Sequence, residues 1–304
     1  MPLLLEEANK LATSDFVRGV IVEIIDKDDL FAVLPFVKTT GKSFDYNRED
    51  EIAGGSWIDP NEEVKESAST FTEVSTKLRI LIGDVDIDKF IAGQLSNEQS
   101  QVIIQIKQKA KGLRRDFQTA LITGDSKSGV KTFDGVQKLV DEKQVIYAGS
   151  NDEKTPASLT MAKLDELCDM VPNGADILLM RSGTKRALRS LLRATYGTDA
   201  VMQMLPNFGA PMLTHNGIPI LVNNYIPSNI KVGDNEKTTS IFAIRLNEVD
   251  GLHGLYGGDK AGIVYENIGT VQNKDAIRMR LKWYCGLALK STRSLAELKG
   301  VTNV

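Results

Sequence analysis

The stretch "SNEQSQVIIQIKQKAKGLRRDFQTALITGD", residues 96–125, constrains the fold more than any other part of the chain. Val102, Ile106, Ala110, Leu113, Phe117 and Leu121 recur in steps of three and four, which places them on one face of an α-helix. Lys107, Lys109, Lys111, Arg114 and Arg115 crowd the remaining faces, and Ser96 with Gln99 three positions on has the form of a capping box. A helix from Ser96 to Leu121 would run ~39 Å, well beyond the usual length of ~11–12 residues. It predicts an elongated molecule with this rod as its backbone.

The residues that follow, "ITGDSKSGVKTFDG" (122–135), come close to the spelling of a phosphate-binding loop, with Gly124, Gly129, Lys131 and Thr132 in order. Such a loop needs its lysine directly after the second glycine, where this chain has Val130, and a strand upstream, where this chain has a helix. An α/β nucleotide enzyme built here would also need an acidic magnesium ligand at the end of another strand, and none is evident. Gly124 therefore reads as a left-handed helix stop, residues 126–131 as a turn, and Gly135 as the start of the next strand.

Upstream of the helix, "VKTTGKSFDYNREDEIAGGSWIDPNEEVKESASTFTEVSTKLRILIGDVDID" alternates like a strand, breaks around Gly54 and Gly55, and resumes alternating, the pattern of a long hairpin. Between Lys42 and Glu66 it carries eight acids against three bases. Limbs of about a dozen residues would reach ~40 Å. A lone two-stranded ribbon is marginal in water, so it needs another surface to lie on. Trp57 and Ile58, apolar residues among those charges, are the natural contact points, although a plain loop-core role fits them equally.

A chain of 304 residues can bury a sizeable core, and Lys+Arg 37 against Asp+Glu 40 gives a net charge of -3, which does not mark a nucleic-acid binder. Cys168 and Cys285 lie far apart and match neither a metal spacing nor a redox pair, as expected of small apolar residues in a reduced protein. His215, in "THNGIP", and His253, in "GLHGLYGG", have no partner at metal or triad spacing. The opening "MPLLLEEANKLA" reads as neither signal peptide nor anchor, and no apolar run approaches a membrane span.

The rest alternates helix and strand. "SLTMAKLDELCDMV" reads as a helix started by Ser158, "ADILLMR" as a buried strand and "SGTKRALRSLLRATYG" as a second helix stopped by Gly197. "APMLTHNGIPILVNN" reads as a hairpin around Asn216 and Gly217, "TTSIFAIRL" as a strand, "GLHGLYGGDKAG" as a flexible link, and the C-terminal stretch as mainly strand.

Taken in order, these segments resemble the major capsid proteins of tailed bacteriophages with the Hong Kong 97-type fold. "LLLEEANKLATSDFVRGVIVEIIDKDDLFAVLPF" resembles their N-terminal arm, "GKSFDYNREDEIAGGSWIDPNEEVKESASTFTEVSTKLRILIGDVDID" their extended loop, and Ser96 to Leu121 their spine helix. "ADILLMRSGTKRALRSLL" and "NGIPILVNNYIP" are similar to parts of the axial domain, and "GIVYENIGTVQNKDAIRMRLKWYCGLALKSTRSLAELKG" to the closing strands. The resemblance implies an α+β fold divided into an arm (1–36), an extended loop (37–78), a peripheral domain (79–150 and 261–288, with spine helix 96–121) and an axial domain (151–260 and 289–304).

It also implies a subunit without catalytic residues, metal or cofactor, which joins copies of itself as hexamers and pentamers of an icosahedral shell. The extended loop would lie across a neighbour in the same ring. The residues expected at that contact are Trp57, Ile58, Glu62, Glu63 and Glu66 on the loop, and Lys107, Lys111, Arg114 and Arg115 on the neighbour's spine helix. Other implied partners are a separate scaffolding protein, a portal, a decoration protein on some shells, and packaged double-stranded DNA held by proximity rather than specific attraction, with no membrane. The shell would assemble in the host bacterial cytoplasm and end in the virion. Members that crosslink subunits join a lysine to an asparagine; Lys42 or Lys65 could serve, but no asparagine partner is identifiable. The rival within the fold is an encapsulin-like bacterial compartment, which encloses a cargo enzyme and not a genome.

Overall fold

The computed structural model describes residues 29–51, 53–55, 57–59, 63, 68–89, 98–196, 202–204, 211–259 and 261–303. Residues 1–28 of the expected arm, Glu62, Glu66, Gly197 and the Ser96 end of the capping box lie outside these. In chain order the elements are α1 (Asp29–Val33), β1 (Phe36–Lys38), β2 (Ser43–Glu51), β3 (Thr70–Lys77), β4 (Arg79–Asp88), α2 (Glu98–Thr123), α3 (Val136–Leu139), β5 (Val145–Tyr147), α4 (Met161–Asp169), β6 (Ile177–Met180) and α5 (Ser182–Tyr196). There follow β7 (Met202–Met204), β8 (Pro211–His215), β9 (Ile218–Val222), β10 (Ile230–Val232), β11 (Asn235–Ile244), β12 (Leu252–Gly257), β13 (Val264–Thr270), β14 (Ala276–Leu289) and β15 (Leu295–Val301).

Strand β14, 14 residues long, organises a five-stranded sheet. One of its edges pairs with β4 from Asp88 to Arg79; the other pairs with β13 over its first half and with β12 over its second, and β1 adds to β12. Strand alternation then does the rest: even-numbered residues of β4 point to solvent and odd-numbered ones towards α2. The long helix forms as its spacing predicts, 26 residues with Ile106, Ala110, Leu113, Phe117 and Leu121 buried. It lies on this sheet, where Phe117 meets Trp283 at 4.4 Å between ring centres. Phe31 from α1 packs edge-on against both rings, at 5.6 Å from each, so the end of the expected arm is part of the core.

The second sheet has eight strands, in the order β5-β15-β11-β6-β9-β8-β7, with β10 on β11. Its central strands are buried on both faces: every residue of β6, "ILLM", is inaccessible. Leu178, Ile220, Ile241 and Leu298 face α4 and α5, while Leu179, Leu221, Phe242 and Ile244 face the core shared with α2 and β14. The "NG" turn joins β8 to β9 with Asn216 and Gly217 both at positive φ.

Four local expectations change. "GLHGLYGG" is not a flexible link: Leu252–Gly257 forms β12, and Gly254 is required there because the Phe36 ring lies where a Cβ would sit. Gly124 is not left-handed; a side chain at that position would strike the carbonyls of Ala120 and Phe133. Gly135 precedes the single helical turn α3, and β5 begins only at Val145. Helix α4 is capped by Thr160, whose hydroxyl accepts from the Lys163 amide at 3.3 Å, and not by Ser158.

Candidate assembly interface

The loop that resembled a phosphate site spends its polar groups on itself. Asp134 accepts from the amide and hydroxyl of Ser126 at 2.8 and 3.0 Å, and Asp125 accepts from the Lys127 amide at 2.9 Å. That amide bond, more than the Lys138 ammonium 3.4 Å away, holds the Asp125 carboxyl below its ordinary pKa. Lys131 is exposed, and the element before Gly124 is α2.

The remaining candidates for chemistry are also occupied by structure. Burial raises the pKa of the Cys168 thiol to about 11 and that of Cys285 to about 12, so neither is a ready thiolate. His215 Nε2 lies 2.7 Å from Asp165, which also accepts from Asn216 Nδ2 at 3.0 Å; the group latches the β8–β9 turn to α4. Among the described residues no three His, Cys, Asp or Glu side chains are arranged to hold a metal ion, and no helix is long and apolar enough to cross a membrane.

What the chain offers instead is surface. Strands β2 and β3 pair from Ser43↔Lys77 to Glu51↔Thr70 and form a two-stranded ribbon that belongs to neither large sheet. Its even-numbered β2 residues anchor the root to the chain's own body. Tyr46 Oη donates to the Leu289 carbonyl at 2.7 Å, and Arg48 donates to the carbonyls of Leu289 and Lys290, both at 2.9 Å. Phe44 stands edge-on to the buried His253 at 5.7 Å, with the Lys290 ammonium 5.7 Å over the Phe44 ring. Burial, the leading cause, lowers the pKa of His253 and raises that of Tyr46, so both favour their neutral forms.

The opposite face of the ribbon is exposed at Asn47, at its partner Glu73 and at Phe71. Trp57 at the far end is fully exposed; Ile58 and Glu63 are exposed too, while Glu62 and Glu66 lie outside the described residues. On α2, Lys107, Lys111 and Arg115 are exposed and Arg114 is half-buried. The residues expected at an intersubunit contact that are described thus occupy the tip of the ribbon and one helix.

The outer face of the five-stranded sheet carries a second surface that the sequence reading passed over. Arg280 grips Asp84 at 2.7 and 2.8 Å, Arg278 grips Asp86 at 2.6 and 2.8 Å, and Lys282 meets Glu266 at 2.6 Å. These hydrogen bonds lower the pKa of all three carboxyls. Exposed Ile80, Ile82, Val264 and Ile268 accompany the ladder. The signal was present as alternation, Asp84-Asp86-Asp88 in β4 and Arg278-Arg280-Lys282 in β14, but the pairing joins residues 192 and 196 positions apart.

The sequence profile of the phage capsid family matches residues 9–296. The chain belongs to the phage capsid family. Solved structures agree with that membership at the level of fold. A cyanophage A-1(L) capsid protein superposes with a TM-score of 0.63 at 13% identity, covering 93% of this chain and 94% of that one. The capsid protein of a native GTA particle gives 0.63 at 15%, covering 90% and 89%. The SrpI encapsulin of Synechococcus elongatus PCC 7942 gives 0.65 at 19%, covering 90% and 86%. No curated protein sequence matches the chain. As a phage capsid family member with the Hong Kong 97-type fold, it is a structural shell protein that assembles with copies of itself.

Proposed function

We propose that this chain is the major capsid protein of a tailed bacteriophage, closing into hexamers and pentamers of an icosahedral shell around a double-stranded DNA genome. Its contribution is mechanical and needs no catalysis or cofactor. Scaffold and portal are separate proteins, some shells add a decoration protein, and DNA is held by confinement in a shell whose subunit is net acidic. Assembly takes place in the host cytoplasm.

The observation that carries the ring contact is the ribbon. Two paired strands whose side-chain anchors among the described residues lie at their root would be marginal beyond it, so a second copy is their natural support. In this reading the tip, with Trp57, Ile58, Glu62, Glu63 and Glu66, lies on the neighbour near Lys107, Lys111, Arg114 and Arg115 of its long helix. Opposite charge on two different surfaces gives register to a heterologous, ring-closing contact. Reversing Glu62, Glu63 and Glu66 to lysine is expected to cut the yield of particles and their tolerance to salt; an unchanged yield would sink this placement.

The likeness to an encapsulin favours one alternative, a bacterial compartment around a cargo enzyme. Particles purified from the native source would contain DNA and a portal under the first reading, and a single cargo protein under the second.

A further inference from the structure

We propose that Glu297 is a neutral carboxylic acid in the folded chain, a proton-operated lock that holds the C-terminal strand β15 in the eight-stranded sheet and opens as pH rises. The side chain is wholly buried, and neither carboxyl oxygen reaches solvent. Its strand lies between two others, with Phe242 of β11 opposite Glu297 on one side and Val145 of β5 on the other. Alternation turns Ala296 and Leu298 towards α4 and α5, and Leu295, Glu297 and Lys299 to the other face, where Leu295 and Phe242 join the core shared with α2.

This place is short of hydrogen-bond donors. The hydroxyl of Ser240, a wholly buried residue two before Phe242, bears on the Glu297 carboxyl, and Gln144 directly precedes Val145. Ser240 Oγ, Gln144 Oε1 and both carboxyl oxygens of Glu297 are buried without a well-formed hydrogen bond among the described residues. A carboxylate only accepts, so ionising Glu297 would leave these four oxygens with the one proton of the Ser240 hydroxyl. A carboxylic acid brings a donor of its own.

No nearby cation makes up the deficit. Among the described residues, Lys299 is the one charge that acts on Glu297; its Nζ stands 3.4 Å from Oε2, beyond the ~2.7–2.9 Å of a good charge-assisted bond, and its side chain stays 31% exposed. The other ionisable groups on adjoining elements are Glu142 and Lys143 in the turn before β5, both exposed, Tyr147 opposite Lys299, and Lys231 of β10, which pairs with Glu236 at 3.6 Å. The stretch of β11 against β15, "TSIFAI", carries no charge. Burial, the leading cause, raises the Glu297 pKa, which agrees with this geometry.

The position has leverage over one edge of the sheet. Among the described residues β5 pairs with β15 alone, and the carbonyls of Lys299 and Gly300 accept from the amides of Ala148 and Ala157 at 2.9 and 3.0 Å. A charge forced onto Glu297 therefore loosens β15, β5 and the segment from Ala148 to Ala157, while β6 lies beyond β11. Because the folded pKa is raised, the lock is fully closed below the ordinary carboxylate range and is released as pH rises through the raised value.

The test follows the carboxyl carbon of Glu297 by NMR in the unsubstituted full chain. It should stay unchanged while exposed glutamates titrate near about pH 4.3 and move only at higher pH. The Tm of Glu297→Gln should match that of the unsubstituted chain near about pH 4 and exceed it by a widening margin towards about pH 8. Over the same range, amide exchange corrected for its intrinsic pH dependence should rise severalfold in β5 and β15, stay level in β6, and lose this response in Glu297→Gln. A Glu297 carbon that titrates with the exposed glutamates would overturn the lock, and the carbon is read whether or not the variant folds. A Tm difference that is the same at both ends of the range would overturn it too.

Discussion

The eight-stranded sheet and the two-stranded ribbon are built from the same kind of strand pairing, yet their stability has different origins. In the sheet, β6 and the second half of β11 are covered on both faces by the two halves of the core. In the ribbon, most of β3 is open to solvent, and attachment rests on Phe44, Tyr46 and Arg48 at one end. The sheet completes itself within one chain. The ribbon does not, and under the proposed ring contact a second copy would complete it.

The contrast can be broken most forcefully in the sheet. Leu179→Ala, at a fully buried position in β6, should cost about 2–5 kcal/mol, seen as a large fall in Tm of the isolated subunit. Phe71→Ala on the exposed face of the ribbon should leave that Tm within scatter while lowering particle yield. Equal Tm losses would mean that the ribbon is part of the subunit's own core.

Arg48→Ala should have a smaller and local effect. It removes two charge-assisted bonds to the carbonyls of Leu289 and Lys290, worth about 1.5–3 kcal/mol each at most. Hydrogen exchange should rise by about tenfold or more across Ser43–Glu51 and Thr70–Lys77, since ~1.4 kcal/mol is a factor of ten, and remain unchanged in β6 and β11.

Acid should loosen the same root. Burial lowers the pKa of His253, so below about pH 6.5 the unfolded chain takes up a proton that the folded one resists. Stability is then lost as pH falls from that value towards the lowered folded pKa, and the charge would enter beneath Phe44 beside Lys290. Exchange at the root should increase over that window, and His253→Phe should flatten the response. Glu297, buried in β15 of the large sheet, has the opposite sign: burial raises its pKa, so its stability contribution falls as pH rises above the ordinary carboxylate range. Glu297→Gln should therefore raise Tm near neutral pH.

The smallest effect is expected on the outer sheet face. Arg280→Met should hardly move Tm at physiological salt, because exposed ion pairs contribute little. The Asp84 carboxyl should titrate nearer its ordinary value, a change that NMR would detect.

Much of this contrast is legible in the sequence, and the exceptions have physical causes. The long helix announces itself because one apolar stripe runs from Ile106 to Leu121, and the acidic hairpin because charge and alternation coincide. Strand β12 is hidden because "GLHGLYG" lacks the β-branched residues that mark a strand; Leu252 and Leu255 are buried, and Gly254 exists to admit Phe36. The Asp–Arg ladder is readable as two alternating runs, but nothing local joins Asp86 to Arg278 across 192 positions.

Cryo-electron microscopy of particles formed by the unsubstituted chain tests the central claim most directly. Closed icosahedral shells are expected, each subunit's ribbon lying across the next subunit of its ring and Trp57 shielded by that neighbour. Shells in which every ribbon contacts only its own subunit, or a chain that stays monomeric at high concentration, would contradict the account.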